Sequence, residues 1–462
     1  MPRLPLIAAV SLVALATSAS AEPGIAITIY ADNQALVQDT REVTFTGAPQ
    51  KVEFKGVSAQ IRPETASLAA PDMRIIEQNF DYDLLSPQKI MENAVGQTIT
   101  LVRTNPATGA ETREQAVVLA ANGGVVLQIG NRIEVLRDDG LPVRVIFDRV
   151  PPNMRADPTL SITLQGTAGK REAALRYLTP GLGWRADYVA LYDDKQGTID
   201  VQGWVTLTNN SGTTYQNAKT ILVAGSPRLL NQRNNYGGYR QPYPAGDGAG
   251  MVEAGTESGT RERLGDYYLY PLAERTTIAN MQTKQVSFLD VHGAPAQHGY
   301  EARLGWMQTS DSPISTQTVY RFSNSAKGGL GDQLPAGIVR FYIRDSRGQA
   351  QFIGESAIGH TPMGSTLAIN TGQAFDVKIQ PVVENRTKLG SSRWQTKMRY
   401  TLTNALPRPV TVRVIQGGLW GDTRVVEESQ KGERRDADTM AWTVIVPANG
   451  KTDLTATFDT RY

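Results

Sequence analysis

The chain has 462 residues, no cysteine, and 47 Lys+Arg against 45 Asp+Glu, a formal net charge of +2. That balance speaks against nucleic acid or an anionic membrane surface as a partner, because both select clustered positive charge. The lack of cysteine excludes disulfides, thiolate metal ligands and lipid attachment through a cysteine.

Residues 1–21 read as a secretory signal peptide. Arg3 supplies the positive start, the stretch from Leu4 to Ala16 is apolar but too short to span a bilayer, and Ala19-Ser20-Ala21 gives an A-x-A cleavage site. The mature chain is expected to begin at Glu22 and to reside in the periplasm or outside the cell, with a Gram-negative envelope as the setting. No later stretch approaches the roughly 18 consecutive apolar residues of a transmembrane helix. At about 150 residues per domain, the length suggests roughly three domains.

Residues 22–85 read as short strands broken by turns, an N-terminal β segment. Residues 86–150 follow as a short helix plus a small β-barrel or meander. Ser86 can cap the helix, Pro87 suits its first position, Ile90, Met91 and Ala94 share a face and Gly96 can end it, giving about ten residues. Four strands at hairpin spacing come next, with turns at Asn105 to Gly109 and Asn122-Gly123-Gly124.

Residues 151–462 read as a β-sandwich domain with longer alternating strands. The clearest set predicted to face inward is Trp394, Met398, Tyr400, Leu402, Val412, Val414, Trp442, Val444, Leu454 and Phe458, and Trp204 is expected to fill a core as well. The phrase Val205-Thr206-Leu207-Thr208-Asn209 is echoed by Tyr320-Arg321-Phe322-Ser323-Asn324 and by Tyr400-Thr401-Leu402-Thr403-Asn404. These phrases mark equivalent strands of repeated immunoglobulin-like sheets, or coincide by chance. Residues 231–260 hold seven glycines with Tyr236, Tyr239 and Tyr243 interleaved, and are expected to form a flexible loop. The expected class is therefore mainly β, with antiparallel immunoglobulin-like sandwiches preceded by the short helix and the small barrel or meander.

Several spaced phrases carry a family resemblance. They are Arg176-Tyr177 through Gly183-Trp184-Arg185-Ala186-Asp187-Tyr188, Trp204 to Val223 ending at Ala224-Gly225-Ser226-Pro227, Leu334-Pro335-Ala336-Gly337-Ile338-Val339-Arg340, Phe352-Ile353-Gly354-Glu355, and Gly364 to Val377. In this order the chain resembles the bacterial envelope family built on domain of unknown function 4139, which includes mucoidy-inhibitor-like proteins. The resemblance implies a secreted or periplasmic β protein and transfers no catalytic residue. The helical hairpin that many relatives carry is absent, and the small barrel takes its place.

Motifs that tempt a catalytic reading have plainer accounts. His292 and His298 are six apart in a turn-rich stretch and, with His360, match no common zinc spacing. Gly354-Glu355-Ser356-Ala357-Ile358-Gly359-His360 is not a G-x-S-x-G elbow, and Gly328-Gly329-Leu330-Gly331 precedes no helix or Walker lysine. Asp193-Asp194 and Glu427-Glu428 are adjacent carboxylates that a strand would point to opposite faces, so they read as solvated turns or edges. No metal or cofactor is expected. The binding candidates are Tyr236, Tyr239 and Tyr243 of the loop, with Arg233 and Arg240 nearby, and Trp420, which sits in a turn between Gly417-Gly418 and Gly421. The expected function is a non-catalytic β scaffold that binds another envelope protein or a cell-wall or surface polysaccharide. The alternative is a polysaccharide hydrolase or carbohydrate-binding protein whose residues gather from separate strands.

Overall fold

A computed structural model describes residues 24–81, 84–136, 142–150, 154–225, 227, 250–258 and 261–461. The expected signal peptide and most of the 231–260 loop, including Tyr236, Tyr239 and Tyr243, lie outside them. The fold is mainly β and built as sandwiches, with one short α-helix among the described residues. No described helix is long and apolar enough to cross a membrane.

The first sandwich joins distant parts of the chain. In one sheet Gly24–Tyr30 runs parallel to Tyr215–Ala224, and Gln34–Phe45 pairs with Gly169–Pro180. The N-terminal β segment thus finds its partners after residue 154 and shares a core with them. The facing sheet holds Leu182–Asp193, Thr198–Asn209 and Gly337–Arg344. Between Gly169–Pro180 and Leu182–Asp193 the chain changes sheets at Gly181. There φ is +92° and a Cβ would come within 2.7 Å of the Ser211 backbone, so only glycine fits. Ile29, Leu175, Tyr188, Leu207 and Phe341 are fully enclosed between the layers. Trp204 is half-buried, against expectation. Its neighbours Val201, Gly203, Val205 and Leu207 take the inward parity, which turns the indole to the other face.

The helix Pro87–Asn93 is shorter than the predicted ten residues. Ser86 Oγ accepts from the Lys89 amide at 3.1 Å, and Gly96 turns the chain beyond the end at φ +82°. Met91 and Ala94 pack on Ile99, Leu101, Ala116 and Leu127 of a five-stranded antiparallel sheet. Arg103 and Arg132, from separate strands, both pair with Glu114 and Glu134, so the sheet is curled. Its outer strands Arg132–Leu136 and Val143–Ile146 do not pair with each other among the described residues, so it is an open meander. The unit is inserted between Met73–Asp81 and Thr159–Gly166, which are themselves paired.

The second sandwich contains Arg393–Asn404, Gly450–Arg461, Val410–Gln416 and Thr439–Val446. Nine of the ten residues predicted to face inward are buried there. Trp394 is the exception. It lies on the inward face, but near the strand's start at the rim of the sandwich, where cover runs out and it is half-buried.

Two strands run through both sandwiches. Gln282–Leu304 gives Leu289 and Ala294 to the first core and Tyr300 and Ala302 to the second, while Thr366–Gly390 gives Leu367 and Ile369 to the first and Val377 and Ile379 to the second. The stretch from His292 to His298, expected to be rich in turns, is therefore strand. Gly293 at φ +68° absorbs an irregularity in the pairing with Thr198–Asn209 without ending the strand. Residues 250–253, inside the expected loop, form a short strand against Thr366–Gly390, so the loop ends earlier than predicted.

Candidate functional site

The second sandwich presents an aromatic platform at one end. Gln282–Leu304 ends just before Gly305-Trp306, and Val410–Gln416 just before Gly417-Gly418-Leu419-Trp420. Gln416 fixes both exits. Its side chain donates to Gly305 O and to Gly417 O (2.9 Å), and its carbonyl accepts the Tyr400 hydroxyl at 2.8 Å. At Gly418 (φ +67°) a Cβ would lie 3.0 Å from the Trp306 amide nitrogen, so the absence of a side chain lets the two turns touch. The Trp420 carbonyl accepts from Thr423 Oγ1 at 2.8 Å.

These constraints stack the Trp306 and Trp420 indoles, with centroids 5.4 Å apart and planes at 10°. The Arg386 guanidinium carbon lies 5.8 Å from the Trp306 ring centre and is held by Met307 O (2.5 Å) and Thr396 Oγ1 (3.2 Å). Beside the stack, Trp306, Arg386, Trp394, Thr396 and Thr460 line a groove of about 210 Å³. Trp420 stays 58 % exposed although its ring is covered on one side. An indole face held open to solvent suits the apolar face of a sugar ring, while Arg386 flanks the Trp306 member of the stack. No family model and no curated protein matches the chain.

Of the candidates named from sequence, Trp420 falls on this platform, and the three loop tyrosines lie outside the described residues. Trp306 and Arg386 were missed. The only local hint at Trp306 is a Gly-Trp pair at a strand end, and its meeting with Trp420 spans more than a hundred residues.

The other motifs resolve as local structure. Gly354 to Ser356 lie within the strand Ala350–Ile358, and Asp193 Oδ1 caps its own turn by accepting from the Lys195 and Gln196 amides. No group of three His, Asp or Glu able to hold a metal occurs among the described residues. His292 is exposed near Asp200 and Asp290, and His360 Nδ1 accepts the Ala336 amide at 3.2 Å. His298 lies stacked on Tyr320, with centroids 4.9 Å apart.

Burial holds the pKa of both His298 and His360 below the ordinary histidine value, with Asp194 and Asp32 respectively pulling the other way. The unfolded chain then binds more protons than the native one at and below about pH 6.5, so stability is full above that value and falls as pH drops through it. Denaturant midpoints measured from about pH 7.5 down to 5.5, the range in which unperturbed histidine titrates, should fall in the parent chain. They should fall less in His298→Phe, which keeps an aromatic ring on Tyr320 and removes the titration. Identical pH profiles would refute the assignment.

Proposed function

We propose that this chain is an exported, non-catalytic binding scaffold of the bacterial cell envelope, and that Trp420 seats a sugar ring of a cell-wall or surface polysaccharide. The single observation that carries the reading is the Trp306–Trp420 stack, fixed from below by Gln416 and Gly418 and open above. Arg386 and Trp394 line a groove beside Trp306. Export is supported by the Arg3-to-Ala21 leader, envelope residence by the resemblance to the family built on domain of unknown function 4139, and immunoglobulin-like sandwiches by the thrice-repeated strand phrase ending in asparagine. A glycoside hydrolase needs two facing carboxylates, and the residues lining the groove include none.

Co-sedimentation of the full mature chain with cell-wall sacculi and with purified surface polysaccharide tests this. Trp420→Ala should weaken binding by about 30-fold, the effect of losing a hot-spot aromatic worth about 2 kcal/mol. Because the side chain is exposed, the thermal midpoint should stay in place. Equal retention of the two chains would refute the role of Trp420. Failure of both to bind any polymer, together with Trp420-dependent capture of an envelope protein, would replace the polysaccharide by a protein partner.

A further inference from the structure

At the waist between the two sandwiches lies a cleft of about 490 Å³, within the range of small-molecule sites. Its floor is the stretch from Ala296 to Tyr300 of Gln282–Leu304, where Gly299 has no side chain. A Cβ there would sit 3.8 Å from both Arg321 Nη1 and Thr411 O. Both sandwiches contribute to the walls. Tyr192 and Asp194 come from the end of a first-sandwich strand, Arg408 and Arg413 from the second sandwich, and Arg321 from the strand Ile314–Ser323 between the two long strands.

Three guanidinium groups line the cleft with one carboxylate, Asp194; strand parity places Arg321 and Arg413 on the Gly299 side, whereas Arg408 lies with Asp194 beside His298. Their partners within the protein leave most of their donors free. Arg321 donates to buried Glu301, but Glu301 is shared with Arg303, and Arg321 Nε has no hydrogen-bond partner among the described residues. Arg408 and Arg413 donate no side-chain hydrogen bond among the described residues. Their nearest acidic atoms are Asp194 Oδ2 at 3.5 Å and Glu433 Oε2 at 3.9 Å, and Glu433 is largely solvated. Burial pushes the Arg321 pKa down, Glu301 opposes this and the nearby Arg413 adds to it, as expected for crowded cations sharing too few anions. Guanidinium forks match planar and tetrahedral oxyanions in a bidentate way. The buried rings of Tyr192 and Tyr300, with His298, close the cleft from the other face of the strand, His298 and Tyr300 centroids lying 5.2 Å apart.

We infer that the waist cleft is a binding site for a small organic oxyanion, whose carboxylate or phosphate group is held over Gly299 by Arg321 and Arg413. The site uses none of the residues around Trp420, so it stands or falls apart from the polysaccharide reading.

Calorimetric titration of the full mature chain at low ionic strength tests the site with glucuronate and glucose 6-phosphate as the two oxyanion types, and with glucose and inorganic phosphate as controls. At least one acidic sugar should bind, with glucose silent, and the tighter of the two identifies the oxyanion as carboxylate or phosphate. Arg408→Gln combined with Arg413→Gln should weaken that binding at least tenfold. Among the described residues those side chains hold no other part of the fold by hydrogen bonds, and the thermal midpoint reports whether the variant remains folded. Gly299→Val, which fills the floor and keeps every charge, should weaken binding as well, and Trp420→Ala should leave it unchanged. Silence from both acidic sugars, or unchanged binding in the double arginine variant, would overturn the site. Inorganic phosphate binding as tightly as glucose 6-phosphate would overturn the preference for an organic oxyanion.

Discussion

Replacing Asn404 with alanine should destabilise the protein by about 3–4 kcal/mol, from one side chain that touches no ligand. Asn404 is 2 % exposed. Its amide donates to Arg408 O at 2.8 Å and Pro447 O at 3.0 Å, and its carbonyl accepts the Leu406 amide at 2.9 Å. Alanine leaves two carbonyls and one N–H without these partners at the end of the second sandwich, and each such loss costs about 1–3 kcal/mol when water cannot enter. Asn209 and Asn324 do the same work elsewhere. Asn209 donates to Thr213 O and Ile278 O and accepts from Ser211, while Asn324 donates to Asp332 O and Pro362 O and accepts from the Ser365 amide. The three alanine variants should therefore lose similar stability in urea unfolding. A loss under about 1 kcal/mol, the range of surface changes, at all three would show that these asparagines do not secure the strand ends.

Trp442→Ala should cost about 4 kcal/mol, in the range for emptying a large aromatic site. The indole is 1 % exposed, lies 6.2 Å from the Tyr400 ring and 6.3 Å from the Phe458 ring, and its Nε1 donates to Glu428 Oε2 at 2.9 Å. The damage sits wholly in the second core. Because Gln282–Leu304 and Thr366–Gly390 are structural in both cores, the first should not outlive the second. A calorimetric scan should give one transition shifted downward. Two transitions, the upper one at the parent midpoint, would show that the sandwiches fold independently.

Period-two alternation made much of this legible. Met398, Tyr400 and Leu402 could be placed because a strand with one buried face repeats its apolar residues at every second position. The repeated phrase ending in asparagine was visible too, and the structure gives its physical content: in each copy a short amide reaches the carbonyls of a neighbouring turn. The rule failed where bulk was weighed above parity, as at Trp204, and where a correct face ran past the edge of cover, as at Trp394. Glu428 read as a solvated edge because its tie to Trp442 crosses fourteen residues. The stretch through Gly293 and Pro295 looked like a break, since both are turn formers, and a strand can carry them only as an irregularity that its partner tolerates. Neither candidate site was legible as a site. Trp306 with Trp420, and Arg321 with Arg413, come together through sheet pairing, which local sequence does not encode.

The long strands also set how the waist cleft and the indole stack relate to one another. Gln282–Leu304 has 23 residues and spans about 75 Å at about 3.3 Å per residue. It carries the cleft floor at Gly299, five residues before its end, and Trp306 two residues beyond that end, with no hinge or linker between them. A flexible tether would offer two sites at a spread of distances, and a long ligand would choose among them at an effective concentration fixed by linker length. Here the spacing is set by the rise of a strand, so the two proposed sites are held at one fixed interval.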